Sequence, residues 1–453
     1  MTPETFLQMV EQMSGLLLER EQGIYSFAHL TIQEYLASVH IREQGLEATL
    51  LLHLGESWWE ETTRLYCAQT DATRIIEACL KYETHSVVHL NLAIECQEES
   101  LKIQPKTKLR LDQVLAQGAE DANPTRRSIV AEALLRRRLK EIVLIKEGVY
   151  YDISPITCIE YQLFLEEKKR DCQPDHWKSK SFHKGDAHTP ILGIRSSDAS
   201  AFCRWLTERY GSTWQYQLPI TEDIEELDKL MMSNDERIGY WVDNEKPFVR
   251  LQREPIALFQ RNEYFFPNYM LDVDQATQLA NSPVLTRIGY IELFLSSILN
   301  RSAPIGERLN KIAEMKVKLL ESIRTHAYIL DPKHSLADAL EKLLGSNQNI
   351  NTDKILELTH DLEQKRKYAF LDFLRIFEVS FEVIDTAANK EYILVRMFLP
   401  LLRRLSRWRQ KRQDATSVLS KLVKIYLTLY FLQGRLENTL PPCEGIVVTK
   451  KKY

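Results

Sequence analysis

Apolar residues recur at helical spacing through residues 57–146 and again from about Ser282 onward. Between Gly148 and Trp241 that rhythm breaks into short alternating runs separated by glycine, proline and aromatic residues. A period near 3.6 lets a helix bury one face and a period of two lets a strand do so, so a chain that changes period twice is not one uniform array. The expected fold class is therefore mainly α with an α+β insert: a helical array, a smaller mixed domain and a C-terminal helical bundle. Only 15 of 453 residues are glycine, against an average of roughly 7%, which favours helices over turn-rich β architecture. At ~150 residues per domain the length asks for several cores. The pattern changes place boundaries at 1–45, 46–147, 148–281 and 282–453.

The N-terminal segment has its own grammar. Thr2-Pro3 followed by Phe6, Val10 and Met13, with Gly15 behind them, reads as a short helix with proline in its first turn. Leu16 to Glu19 and Ile24 to Phe27, joined across Glu21-Gln22-Gly23, read as a β-hairpin. A second helix follows, with Thr31 and Glu34 at capping-box spacing. His29 then stands just ahead of a helix N-terminus, where free amides and the helix dipole favour an anion; a packed or solvated histidine is the simpler reading. Helix, hairpin and helix are the closing parts of a winged helix, but no recognition helix with clustered Arg or Lys precedes the wing, so DNA binding is not expected.

The run Tyr25-Ser26-Phe27-Ala28-His29-Leu30-Thr31-Ile32-Gln33-Glu34-Tyr35 resembles the end of the winged-helix segment in NACHT-type STAND NTPases, with Phe27, His29, Gln33, Glu34 and Tyr35 at the matching positions. The resemblance implies a regulatory switch protein in which His29 contacts the phosphates of bound ADP. No Gly-Lys dipeptide occurs in the chain, so a Walker A loop is absent and nucleotide hydrolysis is not expected of this polypeptide alone. ADP or ATP is expected as a cofactor only with an upstream NTPase module.

In the helical stretch, Ser57 and Glu60 have capping-box spacing and Asp71 can cap the helix carrying Ile75, Ile76 and Cys79. His85 and His89, at i and i+4, could present two imidazoles on one helix face as metal ligands; Asn91 stands where a third, carboxylate ligand would serve, and a polar helix start with a half-buried histidine is the plainer reading. Arg126, Arg127, Arg136, Arg137, Arg138 and Lys140 share an amphipathic helix, either as a solvated face or as a dock for an acidic partner.

Three blocks in the mixed segment carry a second resemblance. Asp152, Pro155, Thr157, Glu160, Tyr161 and Phe164 form the first; Pro190 to Ile194 with Asp198, Ala199, Ala201, Phe202, Cys203, Trp205 and Leu206 form the second; Tyr216-Gln217-Leu218-Pro219 forms the third. In this order they resemble the formylglycine-generating enzyme, or sulfatase-modifying factor, family, which implies a C-type-lectin-like fold. In that family Cys203 corresponds to a scaffold residue. The catalytic copper-binding cysteine pair has no counterpart, since only Cys443 follows Leu218 and no Gly-Gly occurs. The domain is therefore expected to be degenerate and to serve as a ligand or partner surface. A degenerate or iron-dependent oxidoreductase is the alternative. Asp175, His176, His183 and His188 in the loop QPDHWKSKSFHKGDAH are candidate ligand-binding residues, or simply polar loop residues.

Five helical patterns follow, at 291–299, 312–329, 336–344, 355–362 and 370–383. A sixth, longer pattern at 396–432 is basic and amphipathic, through Arg403, Arg404, Arg407, Arg409, Lys411, Arg412, Lys421 and Lys424. The tail GIVVTKKKY could add one edge strand. A formal net charge of −4 makes no case for nucleic acid. Seven scattered cysteines without a Cys-x-x-Cys pair suit reduced thiols in a cytoplasm. No apolar run near the C-terminus approaches the ~20 residues of a membrane span. The expected function is the non-catalytic regulatory and recognition portion of a bacterial NACHT-type signalling or defence protein, with a protein partner and with oligomerisation compatible with that role.

Overall fold

A computed structural model describes residues 5–7, 9–10, 15–81, 86–146, 148–168, 172–220, 227, 239–243, 248–250, 273–282, 285, 291–330, 340, 344, 415, 417–419, 421–439, 442 and 444–452. The chain is mostly helical, with a few small sheets. It forms two compact units whose segments alternate along the sequence: residues 1–144, 156–168 and 182–190 in one, and 145–155, 169–181 and 191–453 in the other.

The first unit begins with the hairpin β1 (Leu17–Glu21) and β2 (Ile24–Phe27), paired antiparallel with an irregularity between Glu19 and Glu21. Helix α1 (Leu30–Glu43) follows, then α2 (Glu47–Leu52), α3 (Ser57–Cys67), α4 (Thr73–Cys79), α5 (Val87–Glu99), α6 (Pro105–Ala119) and α7 (Pro124–Lys140). Their buried faces carry Ile75, Ile76, Leu90, Ile94, Leu111 and Leu135, all essentially without exposure. Cys67, Cys79 and Cys96 are buried among them, and burial pushes the Cys79 thiol up to about 12. Gly118 marks the closest crossing: a Cβ there would stand 2.5 Å from Val130 Cγ2, so α6 and α7 approach only because that position carries no side chain. Gln69 bonds both Ser38 and Arg42, fastening α1 to the end of α3.

Two capping expectations are corrected. The N-cap of α1 is His29, not Thr31, and that of α3 is Glu56, not Ser57. In each case the Ser/Thr-x-x-Glu spacing falls inside the first turn, where the threonine or serine amide lies too far into the helix for the reciprocal bonds. The working capping box is at Thr157, ahead of α8 (Cys158–Lys168): Glu160 Oε2 accepts from Thr157 N at 2.8 Å and from Thr157 Oγ1 at 2.6 Å.

The basic run of α7 is partly a solvated face, with Arg126, Arg136 and Lys140 exposed, and partly paired within the chain. Arg127 pairs with Glu166, Arg138 Nε reaches Glu160 Oε1 at 2.6 Å, Arg137 Nε reaches Glu98 at 2.6 Å, and Lys140 pairs with Glu95. Two of these acidic partners lie on α8. The loop 182–190 closes over the same helix, with Cys158 N and Ile159 N donating to Thr189 O and Ala187 O at 2.9 Å. Glu120 accepts from Gly185 N and Ala187 N at 3.0 Å each.

In the second unit the strands β3 (Val143–Lys146), β4 (Val149–Tyr151), β5 (Trp214–Gln217) and β9 (Thr449–Lys452) form a sheet of order β3-β4-β9-β5, with β3 straddling the boundary between the units. Between them in sequence lie α9 (Ser196–Tyr210), β6 (Gly239–Trp241), β7 (Phe248–Arg250), α10 (Val273–Ala280), α11 (Ile291–Leu299), α12 (Ile305–Leu330), α13 (residues 421–436) and β8 (Glu444–Gly445). A second sheet has the order β7-β6-β8, with β8 parallel to β6. The tail is thus an inner strand rather than an edge, because β9 pairs antiparallel with both β4 and β5. Helices α11, α12 and α13 share one apolar core through Leu295, Ile298, Ile312, Leu319, Leu422 and Ile425. The helical patterns expected at 355–362 and 370–383, and most of that at 396–432, lie outside the described residues. No helix among the described residues is long and apolar enough to cross a membrane.

Glu160 is nearly fully buried and carries both the α8 cap and the Arg138 pair. Glu160→Ala is expected to cost about 3 kcal/mol by urea denaturation, because it removes a buried carboxylate that pairs with Arg138 and caps α8. Arg126→Ala, at a side chain 68% exposed and 3.8 Å from Asp121, should stay within about 0.5 kcal/mol.

Candidate functional site

Three groups of residues carry the functional expectations. At the first, β2 ends at Phe27 and the chain passes through an extended His29 (φ −127°, ψ 125°) directly into α1. The His29 carbonyl accepts from Ile32 N at 3.2 Å, opening the helix, while its side chain makes no cap hydrogen bond and is exposed. The imidazole therefore stands on the surface at a helix N-terminus whose first amides have no side-chain cap. In the same segment Leu18, Ile24, Leu30, Tyr35 and Leu36 are exposed apolar residues.

At the second, His89 lies in the first turn of α5. Its N-cap Ser86 accepts from His89 N at 3.3 Å, and Ser86 Oγ lies 2.5 Å from His89 Nδ1. The ring packs on Gly55, which has φ +89° and where a Cβ would stand 3.0 Å from His89 Cε1. His89 is thus committed to its own helix start. Its expected companion His85 lies outside the described residues. Among the described residues no three His, Cys, Asp or Glu side chains converge as a metal-binding set.

The third group is the loop QPDHWKSKSFHKGDAH, whose four candidates the structure does not gather. His183 and His188 are exposed and belong to the first unit, whereas Asp175 and His176 belong to the second. Asp175 is buried at the centre of a guanidinium cluster. Arg195 bonds it through two nitrogens, Nε to Oδ2 at 2.9 Å and Nη2 to Oδ1 at 2.6 Å. Arg308 Nη2 reaches Oδ1 at 2.7 Å and Nη1 reaches the Asp175 carbonyl at 3.1 Å, while its Nε donates to Ile298 O at 2.9 Å and so closes the end of α11. Arg301 Nε lies 3.8 Å from Oδ1, and Arg301 Nη2 bonds Asp198 in the first turn of α9.

Burial alone would raise the Asp175 carboxyl, but Arg195, Arg301 and Arg308 outweigh it and hold the group well below the usual carboxylate range. Asp198 shows the opposite balance: burial wins over Arg301 and Arg195, and its carboxyl is raised. Beside this cluster His176 packs against Gly193, where a Cβ would stand only 2.9 Å from Nδ1. Its Nδ1 is buried without a hydrogen-bond partner. Burial, then the nearby Arg435, bring its pKa down to about 4.

This arrangement holds structure rather than a ligand: the Asp175 carboxylate is consumed by three arginines that come from α9's N-cap, the α11–α12 turn and α12. None of Arg195, Arg301, Arg308, Arg435 or Glu444 stood out in the sequence. Arg308 lies 133 residues from Asp175, and no local spacing connects the two. The nearest signal was Asp198 in its helix-start block.

Asp175→Asn should destabilise the protein by about 3–5 kcal/mol at pH 7, since it removes the buried negative charge that Arg195 and Arg308 both contact. The folded-state pKa of Asp175 is depressed, so its contribution is present above the unfolded value of 3.8 and is lost only as the pH falls through the folded one. His176 behaves differently. Its folded pKa of about 4 lies below the unfolded 6.5, so between these values the unfolded chain takes the proton first and stability falls with pH by about 1.4 kcal/mol per unit. Denaturation midpoints at pH 7 and pH 5 should separate more in the native chain than in His176→Leu, and equal separations would refute the assignment.

Comparison with known proteins places one part of this chain. Residues 2–41 match the family model of the winged helix-turn-helix domain C-terminal to NACHT. No curated protein matches the chain, and no solved structure matches it. The matched span covers the hairpin, His29 and nearly all of α1, and it supports a NACHT-associated C-terminal part.

Proposed function

We propose that this chain is the regulatory and recognition portion of a NACHT-type switch, with His29 facing the phosphates of ADP held by an NTPase module. The observation that carries the reading is the coincidence of the family match at residues 2–41 with an exposed, uncapped His29 at a helix N-terminus. A neutral or protonated imidazole donor beside free helix amides suits a phosphate oxygen. The exposed Leu18, Ile24, Leu30, Tyr35 and Leu36 form the apolar ground on which such a module would seat.

The mixed domain is proposed as the recognition element, a degenerate lectin-like module in the sense of its three sequence blocks. Supporting this, Asp198, Ala199, Phe202, Cys203, Trp205 and Leu206 are the buried residues of α9, and β5 ends where Leu218-Pro219 begins. The Cys203 thiol is fully enclosed and pushed well up by burial, which fits a packing role and not a reactive one. Joined to an upstream module, the chain would restrain the nucleotide-bound state until a ligand or protein partner engages the second unit.

His29→Ala, measured as release of a fluorescent ADP from the chain assembled with its NTPase module, should speed release about tenfold, the worth of one hydrogen bond to a charged group. Unchanged release removes the phosphate role. Leu18→Asp with Leu36→Asp should weaken the assembly while leaving the thermal unfolding of this chain alone unaltered, because both positions are already exposed.

A further inference from the structure

We draw no further inference here: the strongest candidate, the half-buried face of the second unit's sheet where Lys450 Nζ stands 5.4 Å from the Tyr150 ring centroid and 5.2 Å from that of Trp214, presents both rings to the chain's own lysine, and nothing in the structure shows what would cover it.

Discussion

The Asp175 carboxylate is the point on which the second unit depends. Its neighbours Arg195, Arg301 and Arg308 come from the start of α9, the turn before α12 and α12 itself, and they would be a buried excess of positive charge without it. Taking ions out of water costs several kcal/mol each, so the cluster depends on the pairing of its charges: Arg308 uses all three of its nitrogens, two on Asp175 and one on the end of α11. Loop, helix start and helix end are thereby tied in one place. The loop that looked like a ligand site in sequence is a tie between secondary-structure elements.

The first unit uses the same device in milder form. Its basic helix α7 meets the acidic face of α8 through Arg127–Glu166 and Arg138–Glu160, and Glu120 takes up the two amides of the loop beneath. The acidic partner that such a helix asks for is in the same polypeptide. Among the described residues of the first unit, several arginines of α7 are paired within the chain, while the segment that carries His29 leaves Leu18, Ile24, Leu30, Tyr35 and Leu36 exposed.

Much of the helical framework was legible in sequence. The 291–299 pattern coincides with α11 and the hairpin with β1 and β2, whereas the sheets of the second unit also draw strands from 143–146 and 444–452, outside the mixed segment. A local signal served where the structure is local: Asp71, read as a cap, accepts from Thr73 N at the start of α4. Such signals misled where two cap spacings stood close together, at Thr31 and at Ser57, because the spacing identifies a first turn without saying which residue opens it. Of the candidate site residues, His29 lies where its motif put it, whereas Asp175 and His176 are taken up by packing and charge that no local pattern announces.

The sequence by itself determined the helical periodicity, the break at Gly148, the absence of a Gly-Lys loop and the NACHT-like run at the N-terminus, because each is written in neighbouring residues. Only the tertiary structure decided that α8 belongs with the helical array, that Asp175 is a counter-ion, and that the final strand lies inside a sheet. The physical reason is the same in all three. Pairing of strands and burial of charge are settled by partners scores to hundreds of residues away, and a strand's place at edge or centre depends on which of its two sides finds a neighbour.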